Sequence, residues 1–154
     1  MKLLLPPLLL ATLSVSACGQ HLNATDVPAA AKAAFAQRFP HVHIVKWEPE
    51  DGTNYEARFT QQGVEWSAVY DPQGTWLETE HVLHLTDLPE PVRHALATNY
   101  AGQEPKKVEQ ADTPAGTTYE VEFRKDESEA IFSADGTVLK TAVEEEHDGD
   151  EDGE

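Results

Sequence analysis

The sequence predicts an α+β fold of two tandem repeats, each a helix packed on a four-stranded antiparallel sheet. Three observations predict it. First, Tyr55-Glu56-Ala57-Arg58-Phe59 returns as Tyr119-Glu120-Val121-Glu122-Phe123. In both copies apolar and polar residues alternate, as in a strand with one buried and one wet face. Second, Val27-Pro28 and Leu88-Pro89 each open a helical pattern. Third, Asp71-Pro72-Gln73-Gly74-Thr75 marks a turn that recurs as Ser133-Ala134-Asp135-Gly136-Thr137. The offset between copies is about 61 to 64 residues, a period that points to repeated architecture.

The chain opens with Lys2, an apolar run from Leu3 to Leu13, and Val15-Ser16-Ala17-Cys18. The run is too short to span a bilayer as a folded helix. This order resembles a bacterial lipoprotein signal with its lipobox. The resemblance implies a signal peptide over residues 1–17, cleavage before Cys18, and acylation of Cys18. The alternative is an ordinary secretory signal cut near the same place. Pro6-Pro7 departs from the pattern, since proline breaks the helix this region forms. Both readings export the protein. The lipoprotein reading places it in the periplasm or on the outer membrane, held by acyl chains alone. With one cysteine, no internal disulfide is available.

Residues 18–25 read as a polar tether. Repeat 1 covers residues 26–83. Thr25 or Asp26 is positioned to cap a helix over Ala29 to Phe39, with Pro28 tolerated at its start. Val27, Ala31, Ala34, Phe35 and Phe39 share one face at helical spacing. Pro40 stops the helix. Strands are expected over His41–Glu48, Tyr55–Gln61, Val64–Tyr70 and Thr75–Leu83, with a two-residue turn at Gln62-Gly63. Repeat 2 covers residues 84–142. Asp87 is expected to cap, and Leu88, Val92, Ala95, Leu96 and Tyr100 form the matching helical face. Strands follow over Lys106–Ala111, Thr117–Arg124, Glu127–Phe132 and Thr137–Ala142. Units of roughly 55 residues are marginal alone, so sharing a sheet edge or packing together would secure them. The acidic tail, residues 143–154, has almost no apolar residues and is expected to be disordered.

The segments Val27-Pro28 to Phe39-Pro40, Lys46-Trp47-Glu48, Tyr55 to Phe59, and Asp71 to Leu77 resemble the PepSY-like domain of exported bacterial proteins. That family is similar to the secreted beta-lactamase inhibitor protein, itself a tandem repeat. The resemblance covers residues 26–142 in two copies. It implies a non-enzymatic, envelope-anchored protein-binding module: an inhibitor or modulator of an exported enzyme such as a peptidase. By the same resemblance, an aromatic sheet face binds the partner, with Trp66, Tyr70, Trp76 and Tyr55 as candidates. Core packing is the competing role, favoured for Tyr55 and Phe59 and left open for Trp66 and Trp76. All three tryptophans lie in repeat 1.

Net charge of −17 disfavours nucleic acid and anionic membrane surfaces, and favours cations or basic protein patches. The expected partner is an exported protein, with membrane contact through the lipid anchor only. No cofactor motif occurs, and no nucleophile elbow marks a serine enzyme. An alternative function is cation binding, of calcium or a transition metal. On the predicted first strand, His41 and His43 point to one side, and His81 and His84 could add ligands. Solvent-facing histidines are the simpler account. Asp148, Asp150 and Asp152 copy the opening of an EF-hand loop, but the sequence stops at Glu154, before the closing glutamate. That pattern suits weak, charge-driven cation binding better than a specific calcium site.

Overall fold

The computed structural model describes residues 21–125 and 127–142. Cys18 and the 143–154 segment, with Asp148, Asp150 and Asp152, lie outside them.

Helix α1 (Ala29–Arg38) is followed by strands β1 (Lys46–Glu50), β2 (Asn54–Gln61), β3 (Val64–Tyr70) and β4 (Trp76–Val82). A 3-10 turn (Leu85–Asp87) leads into α2 (Glu90–Asn99). Strands β5 (Pro105–Thr113), β6 (Gly116–Phe123), β7 (Glu129–Ser133) and β8 (Val138–Ala142) complete the second half.

Helix and strands thus repeat as predicted, but the two expected sheets are one. All eight strands form a single antiparallel sheet in the order β1 to β8. The join is β4 against β5, with Thr79 opposite Asp112 and Val82 opposite Glu109. Each edge strand of a separate unit would leave unpaired backbone groups; pairing β4 with β5 removes two such edges.

Each helix covers its own half. Under α1, Ala31 and Phe35 pack with Val27, Trp47, Ala57, Phe59, Ala68 and Tyr70. Under α2, Val92 and Leu96 pack with Leu88, Val108, Val121, Phe123, Ala130 and Phe132. Register places both clusters on the same face. Ala57 pairs with Ala68, Ala68 with Thr79, Thr79 with Asp112, and Val108 with Val121. Because side chains alternate along a strand, the remaining positions face the other way.

Two local expectations differ. No side-chain hydrogen bond caps either helix; Pro28 and Pro89 occupy the N-cap positions instead of Asp26 or Asp87. The first strand starts at Lys46, not His41. The His41-Val42-His43 stretch is loop, where the Val42 amide donates to the Phe39 carbonyl at 3.1 Å and Val42 packs on the first cluster. Ile131 pairs with Glu120 and so lies on the face opposite the second cluster.

The predicted turns hold. Gln62 and Gly63 both have positive φ, at 54° and 81°, as a twisted two-residue hairpin requires. Gly74 and Gly136 both have φ of 85°. A Cβ on Gly74 would sit 2.7 Å from the Ala30 carbonyl oxygen, and one on Gly136 would sit 2.5 Å from that of Pro91. Glycine here lets each helix start rest against its turn.

Candidate functional site

The sheet face opposite the helices carries no covering layer among the described residues. Rows across it follow from the register. Glu48 stands opposite Glu56, Glu56 opposite Val69, and Val69 opposite Glu78. Ser67 stands opposite Glu80, and Glu80 opposite Ala111. Val82 stands opposite Glu109, Glu109 opposite Glu120, and Glu120 opposite Ile131. Two like-charge cross-strand pairs, Glu48 with Glu56 and Glu109 with Glu120, therefore occupy matching positions in the two repeats. Glu78 and Glu80 on β4 lie between them.

These carboxylates are recessed. The side chains of Glu48, Glu56 and Glu109 are only 19%, 16% and 20% exposed. Among them Ala111 and Ile131 are buried, although no layer lies over this face among the described residues. The glutamate stems shield them, as long charged side chains commonly do for apolar surface.

The cations present are unevenly placed. Arg58 reaches Glu48 at 3.5 Å and Glu56 at 3.9 Å, while Lys107 reaches Glu109 at 2.8 Å. The charges that act most on Glu78 and Glu80 are other carboxylates. Burial, then Glu50, Asp51 and Glu56, pushes Glu78 up to about 7. Burial, then Glu78, Glu120, Glu109 and Glu56, pushes Glu80 up to about 8. Burial, then Glu129, Glu78 and Glu109, raises Glu120 to about 7 against the pull of Lys140. Burial also raises Glu56, with Glu48 adding to it and Arg58, a hydrogen bond to Ser67 and Lys107 opposing. Desolvation and like-charge repulsion are the two general ways to disfavour an ionised carboxylate, and both act here.

The aromatic candidates lie elsewhere. Tyr70 is fully buried beneath α1, so it belongs to the core and not to an exposed face. Trp66 and Trp76 are half-buried beside the same cluster. The Trp66 ring stacks on His81 at 4.2 Å, and the Arg38 guanidinium lies 3.8 Å above the Trp76 ring. Trp76 also donates from Nε1 to Thr79 Oγ1 at 2.8 Å. Tyr55 is half-buried on this same helix-bearing side. His41 and His43 are exposed on a loop, which removes the strand that would have aligned them. Among the described residues no three His, Cys, Asp or Glu side chains are grouped to hold a metal.

The carboxylate face was missed in the sequence because acidic residues are abundant everywhere. The outward positions of the repeated strand, Glu56 and Glu120, were the available signal. What no alternation pattern shows is which strands lie side by side.

The fold is thus a tandem-repeat antiparallel sheet with helices on one side and a row of carboxylates on the other. The profile of a family described as "Putative beta-lactamase-inhibitor-like, PepSY-like" matches residues 14–72 and again residues 53–140. The chain belongs to that family. Among solved structures, it is similar to a protein of Bacteroides eggerthii described as among "putative periplasmic proteins". Identity is 18%, with TM-score 0.71, over 76% of this chain and 88% of that one. A DUF2874 family protein of Bacteroides uniformis is 22% identical with TM-score 0.70, over 75% of this chain and 88% of that one. A BLIP-like protein of Bacteroides fragilis is 24% identical with TM-score 0.67, over 80% of this chain and 89% of that one. These likenesses concern the fold. No curated protein matches the chain.

Proposed function

We propose that this chain is a non-enzymatic, exported binding module that docks a protein partner on its open sheet face. The partner presents a basic surface, and docking modulates an exported enzyme. The observation that carries this reading is the pair of in-register glutamate pairs on an uncovered face. Like charges directly opposite on a sheet are destabilising. Arg58 and Lys107 offset part of that repulsion within the molecule, and a cationic surface from outside would offset what is left on Glu78 and Glu80. The family's inhibitor-like description and the BLIP-like neighbour support a binding role. The neighbour described as periplasmic and the Val15-Ser16-Ala17-Cys18 sequence support export.

A photoreactive side chain at Thr118, on the open face, tests the site in intact cells. Adducts with one partner are expected from Thr118 and not from Gln37, which is exposed on α1. Equal adducts from both, or none from Thr118, would overturn the reading. Anchoring is tested separately: Cys18→Ser is expected to leave the membrane fraction and lose labelled fatty acid. Retention of both would refute acylation.

A further inference from the structure

Resting on the reading of Cys18 as an acylated anchor, we propose that the outer edge of β1, with the loop before it, lies against the phospholipid surface. The sheet then stands edge-on to the membrane. The segment that follows the anchor is pinned to this edge. The Leu22 amide donates to the Trp47 carbonyl at 2.9 Å, an isolated bridge on the free side of β1. His21 Nδ1 lies 3.3 Å from a Glu48 carboxylate oxygen, and Lys32 Nζ donates to the Ala24 carbonyl at 2.6 Å. From Cys18 to His21 the chain can span at most about 11 Å. The interfacial layer of a bilayer is itself about 5–8 Å deep. An acyl anchor on Cys18 therefore holds β1 within reach of the headgroups, while β8 is the opposite edge of the sheet.

The surface at that edge suits lipid. Ile44, in the loop before β1, is 84% exposed, more than any other large apolar side chain among the described residues. A single exposed isoleucine would be ordinary, but this one stands beside an apolar groove. Its neighbour Val45 lines that groove of about 210 Å³ with Leu22, Ala24 and Trp47, and His21 and Lys46 complete the wall. Lys32 reaches the same groove at Ala24. Charge favours the contact locally. Among residues 21–46 only Asp26 is acidic, in a chain of net charge −17. Glu48, two residues beyond Lys46, is paired with His21 and Arg58. Salt screens charges more than about 8–10 Å away, so headgroup phosphates meet Lys46 and Lys32 before the carboxylates of the later strands.

The test uses the full chain in intact cells, with a photoreactive side chain in place of His43, which is exposed beside Ile44. Cells are grown on labelled phosphate, because an acyl anchor carries none and a phospholipid adduct does. Labelled adducts at His43 are expected to exceed those from the same probe at Leu139, exposed on the opposite edge, by at least about fivefold. Ile44→Asp is expected to lower the His43 yield by about the same factor, and Ile44→Leu to keep it. Chance collisions of a tethered domain would not follow these two substitutions. The amount of chain recovered in the membrane fraction checks that each variant folds, and a parallel culture with labelled fatty acid checks the anchor. Acylated chain that gives equal adducts at His43 and Leu139, or an unchanged yield with Ile44→Asp, would overturn the contact and leave the anchor standing. Chain without fatty acid, recovered away from the membrane, would overturn both.

Discussion

Tyr70 shows how a residue can be placed correctly on its strand and still be misread. Alternation put it with Trp66 on one side of β3, and that side is the helix side. Its hydroxyl is buried without a hydrogen-bond partner among the described residues, and burial pushes its pKa up to about 12. A buried hydroxyl that makes no bond costs about 1–3 kcal/mol. Tyr70→Phe is therefore expected to be neutral or stabilising by up to that amount in chemical denaturation. Tyr70→Ala is expected to cost about 3–5 kcal/mol, as large-to-small core changes do. For Trp47 the asymmetry between the repeats has a packing cause. Trp47 lies on the edge strand β1, where Leu22 is the only described residue bridging beyond it. Its counterpart Val108 lies on an interior strand, and Leu83, following β4, packs on that second cluster. The edge site needs more volume than the interior one. Trp66→Ala is thus expected to destabilise by about 2 kcal/mol or more, with partner capture at Thr118 retained. A surface-like tolerance at Trp66 would restore the aromatic face as a candidate.

At the scale of elements, the repeated helix, strand and turn signals were legible because each is local. Gly74 and Gly136 were recognisable as turn residues, but their closeness to the first turn of each helix was not. Gly74→Ala and Gly136→Ala each combine a left-handed backbone with a clash on carbonyl oxygen. Each is expected to lose more than about 1 kcal/mol, read as a shift of the urea midpoint. The losses should be alike, because the two turns are built alike. A tolerated change at either would mean that the helix start can shift away from its turn. The His41-Val42-His43 stretch failed for the opposite reason. Its alternation suits a strand, yet β1 pairs with β2 only from Lys46 to Glu50.

Across the whole molecule, the join between β4 and β5 makes one sheet from two repeats, and it also assembles the carboxylate face. Glu80 and Glu109 belong to different repeats, and Glu109 acts on Glu80 only through that join. Nothing in either repeat's own alternation reveals this neighbourhood. Stability should carry its imprint. Carboxylates whose pKa is raised by folding bind more protons in the folded than in the unfolded chain. Their contribution is full below the ordinary glutamate range and is lost as pH rises to about 8 through the values of Glu78, Glu120 and Glu80. Burial lowers the pKa of His81, and that acts in the opposite sense at the acid side. Solvent screening of these partly exposed groups limits the loss to about 1–3 kcal/mol. Melting temperature should accordingly fall between about pH 5 and about pH 8, and Glu80→Gln should flatten the fall. A melting temperature that rises over this interval would show that the carboxylates are ionised without strain.

The order of the strands has a consequence for how the chain reaches this structure. Every strand's hydrogen-bonded neighbours are also its neighbours in sequence, from β1 to β8. Loop closure is then brief at every step but β4 to β5, which spans α2, and low sequence separation between contacts favours rapid folding. A chain delivered amino end first can add hairpin after hairpin to a growing edge, never waiting for a distant segment to complete a pair. Synthesis can thus feed the sheet in the order in which it is built.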